Sequence, residues 1–295
     1  MALTRPQAGH LAMLSFSALV AGSFSLGALA APLISPAALT VVRFGLAGSL
    51  VGLAAWATSG VPRAAFAAPW RYLVLGGLLA CYFVLMFEGL RTAAAVPTAA
   101  VFTLTPVMAA GFGWVLLGQV ASWRMVLALA LGAMGALWVI FRGDVGAMLA
   151  LHVGRGEVVY FFGCIAHAIY APMVRRLNRG ESALVFTFGA LLAGFVLLCL
   201  WGGPAVLATD WLALPAIVWI CLAYVSVAAS SMTFVLLQYA SLRLPSAKVM
   251  AYTYLVPCWV ILWELALGHA APPLNVLAGV VLIVVALGLL LKDEG

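Results

Sequence analysis

Charged side chains are scarce in this sequence. Only 7% of its 295 residues are charged, while 66% are hydrophobic; an ordinary soluble protein carries roughly 25% charged residues. A soluble domain of this length needs a polar shell, and 14 Lys and Arg with 8 Asp and Glu cannot supply one. The composition therefore excludes a soluble enzyme, a nucleic-acid-binding protein and a disordered chain.

Cysteine pairs at metal-binding or redox spacing are also absent. All five cysteines lie in apolar runs, which is typical of small buried side chains and predicts neither a disulfide framework nor a metal site. The sequence contains no HExxH, P-loop or GxSxG motif, so neither catalysis nor a cofactor is predicted. An intramembrane enzyme that pairs Ser23 with His167 stays open as the alternative from another class. No cleavable signal peptide is predicted, because the first apolar run is too long and lacks a cleavage site.

Long apolar runs fill the rest of the chain. A membrane-crossing helix needs about 20 mostly apolar residues. The runs are continuous rather than alternating, which excludes a transmembrane β-barrel. We therefore expect an all-α integral membrane protein with ten transmembrane helices. The ten predicted spans are 9–31, 36–58, 72–90, 97–117, 124–141, 156–174, 182–201, 213–237, 247–267 and 273–291.

The positive charges predict the orientation of these spans. With the N-terminus in the cytoplasm, 10 Lys and Arg fall on the inner side and 3 on the outer side. Cytoplasmic loops carry the excess of Lys and Arg, so both termini are expected in the cytoplasm, with the protein in the inner (plasma) membrane. The inner residues are Arg5, Arg63, Arg71, Arg124, Arg175, Arg176, Arg179, Arg243, Lys248 and Lys292; the outer ones are Arg91, Arg142 and Arg155.

The two halves of the chain are similar to each other. Leu104-Thr105-Pro106 in the fourth predicted span matches Leu255-Val256-Pro257 in the ninth, 151 residues later. Five spans per half is an odd number, so the second half enters the membrane from the other side. Residues 1–145 and 146–295 are therefore predicted to form an inverted-topology repeat, and such repeats usually place a transport site near the membrane midplane.

Several motifs carry a resemblance to a known family. They are Ser35-Pro36 seven residues before Arg43-Phe44, and Gly156-Glu157 followed by Ala166-His167-Ala168-Ile169-Tyr170 and Arg175-Arg176. With them the chain resembles the drug/metabolite transporter superfamily, in its ten-span EamA branch, and its overall look is similar to YddG-type amino-acid exporters. The resemblance implies export of amino acids or related metabolites by alternating access. Gln119 and His269 stand where that family often has Glu, which removes two carboxylates from span ends.

Four side chains share a depth near the midplane. Tyr82, His167, Tyr224 and Trp259 each lie roughly 15–18 Å from a membrane surface, at 1.5 Å per helical residue. We predict that they line one cavity for a zwitterionic substrate; helix packing with local hydrogen bonds is the alternative. Helical spacing adds Tyr160 on the face of His167, and Tyr252 and Trp263 with Trp259, as candidate binding residues; Ser230 is a further candidate, from a Ser/Thr stripe at helical spacing in the eighth span.

Charges inside the spans are few. Arg43 is predicted to have a structural or gating role, although snorkelling to the outer headgroups is an alternative. Glu88 and Glu264 lie toward the outer ends of their spans and predict an outer gate, with an interfacial cluster as the alternative. Because no carboxylate falls near the midplane, facilitated diffusion is expected. The rival function is proton-coupled antiport of other small metabolites or drugs, with His167 or Glu264 as the coupling group. Lipid surrounds the chain, which is expected to be a monomer.

Overall fold

The computed structural model describes residues 5–150, 154–270 and 273–292. All regular secondary structure in these ranges is helical. A π-helical turn, Val227–Met232, joins α10 to α11, and a 3-10 turn, Tyr252–Leu255, joins α12 to α13. The helices are α1 (Arg5–Ala30), α2 (Pro36–Thr58), α3 (Trp70–Leu90), α4 (Ala95–Phe102), α5 (Thr105–Leu117), α6 (Trp123–Ile140), α7 (Val145–Leu149), α8 (Arg155–Leu177), α9 (Ala183–Ala208), α10 (Ala216–Ser226), α11 (Thr233–Ser241), α12 (Ser246–Ala251), α13 (Val256–Ala266) and α14 (Val276–Lys292).

Within the described ranges, eight helical stretches are long and apolar enough to cross a membrane. They are α1, α2, α3, α6, α8, α9, the α10–α11 stretch Ala216–Ser241 and the α12–α13 stretch Ser246–Ala266. Two shorter apolar helices, Thr105–Leu117 and Val276–Leu291, accompany them. The predicted all-helical, multi-pass membrane fold is confirmed at this level. The chain is therefore a multi-pass membrane protein.

The repeated Leu-x-Pro motif interrupts a helix in each half. Leu104 precedes α5 with φ −76° and ψ −18°, and Leu255 precedes α13 with φ −76° and ψ −17°. In both cases proline occupies one of the first positions of the new helix, where its missing N–H leaves no bond unmade. Two sequences 151 residues apart therefore adopt the same local structure.

Helix contacts follow a regular scheme. Under the predicted division into halves, the first-half helices α1, α2, α3, α4–α5 and α6 would correspond in order to α8, α9, α10–α11, α12–α13 and α14. The contacts α2 with α9 and α6 with α14 each join a helix to its own counterpart, and the contact α5 with α12 has its counterpart in α13 with α4. The contact α3 with α8 has its counterpart in α1 with α10 and α11. Exchange of the halves therefore leaves this set of contacts unchanged.

The loops sort onto two ends of the molecule. At one end of the molecule, the starts of α3, α6 and α12 lie beside the ends of α5 and α8. The count of positive charges assigns these segments to the cytoplasm. The bonds there are Arg71 Nη1 to the Leu177 carbonyl (2.7 Å), Arg176 Nη1 to the Leu116 carbonyl (3.1 Å) and the Ser246 amide to Gln119 Oε1 (3.0 Å). At the other end Trp138 Nε1 donates to the Asn275 carbonyl at 2.9 Å.

Two of the cations in the orientation count are not loop residues. Arg71 lies in α3 and is 1% exposed, and Lys248 lies in α12 and is 4% exposed. The charge count assigned both only to the cytoplasmic side, and Lys248 lies within the predicted span 247–267; apolar helices cover both side chains. The side chains of Arg5 and Lys292, which belong to the same count, lie outside the part that the structure describes.

Candidate functional site

A cluster of rings from three elements lies in the interior and is called the His167 group here. It consists of Tyr82 from α3, Phe102 from the end of α4, and Tyr160 and His167 from α8. The two tyrosine hydroxyls lie 3.0 Å apart and share a hydrogen bond. Tyr82 stacks on the imidazole with 4.3 Å between ring centroids and 23° between planes, and Phe102 lies 5.4 Å from the same ring.

The predicted stripe on α8 produces this arrangement. Tyr160, Cys164 and His167 recur at i, i+4 and i+7, and all three are buried. The stripe faces α3, and α1 closes the group with Phe16, whose ring is parallel to the imidazole within 12° at 6.4 Å. The sequence correctly predicts the shared face of α8.

The imidazole of His167 has unused hydrogen-bonding capacity. Neither of its ring nitrogens has a partner in the described part of the chain, and the residue is only 2% exposed. Buried polar groups are nearly always hydrogen-bonded, and leaving one unpaired costs roughly 1–3 kcal/mol. A neutral imidazole offers one donor and one acceptor, so His167 can take both kinds of partner from a bound molecule.

A second set of polar rings contacts α1 and is called the α1 seam here. The Tyr224 hydroxyl donates to the Leu19 carbonyl at 2.7 Å, and Trp259 Nε1 donates to Ser17 Oγ at 3.1 Å. Tyr224 and Trp263 meet edge to face, with 5.3 Å between centroids. Tyr224, Trp259 and Trp263 are only partly buried.

The seam continues toward the end of the molecule that carries the α8–α9 loop. There the Tyr252 hydroxyl lies 2.9 Å from Nδ1 of His10, and both residues are buried. Every polar tip of the seam named here except the Trp263 indole therefore has a recorded bond to α1. Between the seam and the His167 group, the described rings make no direct ring contact; helix α1 joins them. A single cavity lined by both sets stays a prediction.

Arg43 is fully buried and points into the protein. Its Nε donates to Ser230 Oγ at 2.5 Å, and its Nη2 donates to the Ala229 carbonyl at 2.6 Å. The guanidinium also lies over the Phe83 ring, 3.7 Å from the centroid. The snorkelling alternative is therefore wrong, because the side chain turns away from lipid.

The partners of Arg43 belong to the π-helical turn. A π-turn moves backbone carbonyls out of the α-helical bonding register, and such turns are frequent at functional sites. Arg43 binds one of these carbonyls, while the Ser230 hydroxyl donates to the Val225 carbonyl at 2.7 Å. Ser230, predicted to bind substrate, has its hydroxyl engaged by this turn. Arg43 therefore holds α2 to the turn between α10 and α11.

The two predicted gate carboxylates form separate pairs. Glu88 accepts from Arg91 at 3.2 Å, and both side chains are about half exposed. Glu264 lies 2.9 Å from Nδ1 of His269. Among the described residues no contact joins the two pairs, so an outer gate stays a prediction.

A buried ion pair is the main charged feature that sequence reasoning missed. Arg71 Nη2 donates to Glu181 Oε1 at 2.7 Å, and the two side chains are 2% and 8% exposed. Burial pushes the pKa of Glu181 upward, but hydrogen bonds from Arg71 and the Arg179 amide outweigh this effect. The pKa therefore lies below its ordinary value. The chain gives no local signal for this pair, since 110 residues separate its members.

Buried polar atoms without a hydrogen-bond partner also occur outside the predicted site residues. The Gln238 amide has no partner on either side-chain atom, and the hydroxyls of Tyr170 and Ser241 are also unpaired in the described ranges. All three residues are buried. No three His, Cys, Asp or Glu side chains among the described residues are arranged to hold a metal ion.

A multi-pass helical membrane protein with enclosed polar rings at mid-helix has the construction of a small-molecule transporter. The family model of the EamA-like transporter family matches residues 7–141 and 154–292, nearly the whole chain. The chain belongs to this family. It is therefore a membrane transporter by family, and not a member of an enzyme family.

Two further comparisons agree with this assignment. The chain is 23% identical over 280 residues to the "Uncharacterized transporter YyaM" of Bacillus subtilis (strain 168), covering 93% of this chain and 90% of that protein. A crystal structure of another protein superposes with a TM-score of 0.74 at 22% identity, covering 99% of this chain and 98% of the other. At that identity the second comparison shows the fold alone.

Proposed function

We propose that the protein exports amino acids and related small metabolites across the inner membrane by alternating access. The observation that carries the proposal is the His167 group, where an unpartnered imidazole lies among aromatic rings inside a transporter fold. Binding sites for small molecules combine apolar walls with a few polar groups that fix orientation. The substrate is a small zwitterion, taken up at the end that carries the α8–α9 loop.

The inverted repeat supplies the machinery for alternating access. Three observations support it. The family model matches two stretches of similar length, the Leu-x-Pro motif interrupts a helix in each half, and the helix contacts described above map onto one another when the halves are exchanged. With five membrane crossings per half, the second half would have the opposite orientation in the membrane. Rocking of one half against the other would then expose a central site to each side in turn.

The charge distribution favours a zwitterion over a large anion. A nucleotide sugar or similar anion would need several free cations at the site. Arg43 already engages the π-turn through two of its nitrogens, and Arg71 is paired with Glu181. The rings of Tyr82 and Phe102 instead suit aliphatic and aromatic side chains, through apolar contact and stacking. Reconstituted protein should therefore equilibrate neutral amino acids and ignore nucleotide sugars.

Facilitated diffusion is the proposed mode of transport. Proton-driven carriers generally keep an ionisable group deep in the membrane, most often a carboxylate. Glu88 instead lies near the end of its helix in an ion pair with Arg91, and Glu264 lies near the end of its helix beside Nδ1 of His269. Proton antiport through His167 or Glu264 remains the second candidate, because the Glu264 side chain is 26% exposed and could reach a wet cavity.

The proposed orientation places both termini in the cytoplasm. Two observations support it. The count of Lys and Arg residues assigns one set of segments to the cytoplasm, and hydrogen bonds join segments of that set at one end of the molecule. Single cysteines at positions 5 and 292, in a background without the five native cysteines, should label only after membrane permeabilisation. Labelling of either cysteine from the periplasm in intact cells would reverse the orientation.

Transport of a labelled amino-acid panel into proteoliposomes tests the function itself. We expect neutral amino acids to equilibrate with the lumen and to be recovered chemically unchanged by chromatography. Recovery of a modified product would favour the intramembrane enzyme. A protein that equilibrates none of the twenty amino acids, although it remains folded and correctly inserted, would contradict the amino-acid proposal.

A further inference from the structure

Three Arg or Lys side chains are buried in the described part of the chain, and they differ in their partners. Arg43 is bonded to Ser230 and a carbonyl, and Arg71 is bonded to Glu181 and to carbonyls. Lys248 is 4% exposed and makes no hydrogen bond or ion pair with any described residue. Two of these buried cations have partners, and the third has none among the described residues.

Lipid does not explain the position of Lys248. A lysine near a helix end can snorkel along the outside of the protein to the headgroups, but its side chain then lies outside the protein. Protein covers Lys248 almost completely. Its Nζ is not among the fully enclosed polar atoms without a partner, so the ammonium keeps a narrow opening through which a small anion can reach it. The position therefore suits an anion that comes from elsewhere.

The acidic residues of the chain offer little as an internal partner. Five of the eight lie toward the opposite end of the molecule, where α3, α6 and α9 end and α8 begins: Glu88, Asp144, Glu157, Asp210 and Glu264. Glu181 shares the end of Lys248 but is bonded to Arg71 and to the Arg179 amide. Asp293 and Glu294 lie outside the described residues and are the one internal alternative.

Lys248 lies on the same helix face as Tyr252, a residue of the α1 seam. Lys248 precedes Tyr252 by four residues, and such residues share a helix face. Tyr252 bonds to His10 of α1, and further along the same span Trp259 bonds to Ser17. Lys248 therefore lies at the start of the seam, one turn nearer the cytoplasmic end.

An unpaired amide in the neighbouring helix adds a second polar group. Gln238 of α11 is fully buried, and neither its oxygen nor its nitrogen has a partner in the described ranges. Helix α11 packs directly against α12, which carries Lys248. An amide can donate to a carboxylate and accept from an ammonium, so Gln238 suits the same zwitterion.

We propose that Lys248 binds the carboxylate of the substrate at the cytoplasmic start of the transport path, before the substrate reaches the His167 group. The inference rests on the proposed function and deepens it, because it makes the carboxylate an entry requirement. An amine that lacks the carboxylate should be a poor substrate even when its side chain is the same. Gln238 is the second polar contact of this subsite.

The chain allows a direct test, because Lys248 and Lys292 are its only lysines. In Lys292→Arg protein, lysine labelled with ¹³C at Cε reports on Lys248 alone. L-leucine and L-phenylalanine should shift that NMR signal, while their decarboxylated amines, 3-methylbutylamine and phenethylamine, should not. An unchanged signal with both amino acids would overturn the proposal. A shift on Asp293→Asn and Glu294→Gln substitution, with no response to amino acids, would instead identify an internal ion pair and also overturn it.

Transport kinetics supply the second readout. Lys248→Gln should raise KM for L-leucine or L-phenylalanine about tenfold or more, the loss expected for a charge-assisted hydrogen bond. Lys248→Arg should retain most of the affinity, and Lys292→Gln, which removes the other lysine, should leave KM unchanged. Amino-acid transport with KM insensitive to Lys248→Gln would reject this subsite and leave the exporter standing. A Lys248 signal that responds to acetate in a protein that transports no amino acid would keep the anion subsite and reject the proposed substrate.

Discussion

Two sets of rings with polar tips contact α1, and they differ in what their polar atoms bond. In the α1 seam, Tyr224 and Trp259 donate to α1, and Tyr252 is bonded to His10. In the His167 group, the two tyrosines bond each other, and the imidazole bonds nothing in the described part of the chain. The first set has the construction of an attachment between helices, and the second has free capacity for a ligand.

Residues at equal depth in the membrane therefore need not have the same role. His167 and Trp259 are equally good candidates from their positions in the sequence, yet the structure gives only Trp259 a partner. A polar ring whose bond is already made offers a ligand less than one whose atoms are orphaned. We therefore expect substrate affinity to depend on His167 and helix attachment to depend on the seam.

Removal of Glu181 should have the largest effect. The Arg71–Glu181 pair holds the start of α3 to the end of α8, the two helices that carry most of the His167 group. Glu181→Ala leaves a buried guanidinium without its carboxylate and should lower the free energy of unfolding by about 3 kcal/mol. Thermal unfolding in detergent measures this loss. Glu88→Ala breaks an exposed pair and is the control, with an expected change of about 1 kcal/mol or less.

The contribution of Glu181 should depend on pH. Its pKa in the folded protein is lowered from an ordinary value of 4.5, so the carboxylate stabilises the folded state at neutral pH. That stabilisation is complete above 4.5 and is lost as the pH falls through the lower folded pKa. Wild type and Glu181→Ala should therefore converge in stability at acidic pH. A constant difference between pH 7 and pH 3 would contradict the ion pair.

His167→Leu should separate transport from stability. Leucine fills much of the imidazole volume and removes two unpaired polar atoms, so the melting temperature should stay equal or rise. Transport should fall about tenfold or more, because a bound substrate loses hydrogen-bond partners worth about 1.4 kcal/mol or more. Normal transport by this variant would make the His167 group ordinary core packing.

Substitutions in the α1 seam should lower stability and leave transport nearly unchanged, the opposite of His167→Leu. Trp259→Phe and Ser17→Ala each remove one side of a 3.1 Å hydrogen bond. A double-mutant cycle on the free energy of unfolding should give a coupling of about 1 kcal/mol. Transport by Trp259→Phe should stay within about threefold of wild type, a difference below 1 kcal/mol. A transport loss as large as that of His167→Leu would erase the distinction between the two sets.

A pH step should have no effect on substrate distribution. Proteoliposomes with equal substrate on both sides and a transmembrane pH difference should show no accumulation, since no carboxylate among the described residues is placed for deep proton transfer. Sustained accumulation that collapses with a protonophore would return His167 and Glu264 as coupling groups. His167→Leu and Glu264→Gln would then distinguish the two.

Sequence patterns predicted much of the fold and the shared face of α8. Hydrophobic length locates most of the helices, and helical periodicity brings Tyr160 and His167 to one side. The repeated Leu-x-Pro motif correctly marked two equivalent places, because proline ends a helix in a way that local sequence determines. These are properties of single segments, and a sequence states them directly.

Contacts between distant segments could not be read in this way. Nothing near Arg71 indicates Glu181, and nothing near Arg43 indicates that it turns inward to a π-turn almost 190 residues later. The burial of Lys248 depends on the packing of several helices around α12. His167 and Trp259 lie at the same depth along their helices, so depth made them equal candidates for substrate binding. Depth carries no information on which polar atoms have hydrogen-bond partners.

Equilibrium binding of a labelled transported amino acid shows whether the His167 group or the α1 seam holds the substrate. Scintillation-proximity binding to purified wild type, His167→Leu and Trp259→Phe compares the His167 group with the seam in the same units. We expect His167→Leu to weaken binding about tenfold or more and Trp259→Phe to stay within about threefold of wild type. Unchanged binding by His167→Leu together with lost binding by Trp259→Phe would place the substrate against α1 and α13 and contradict the account.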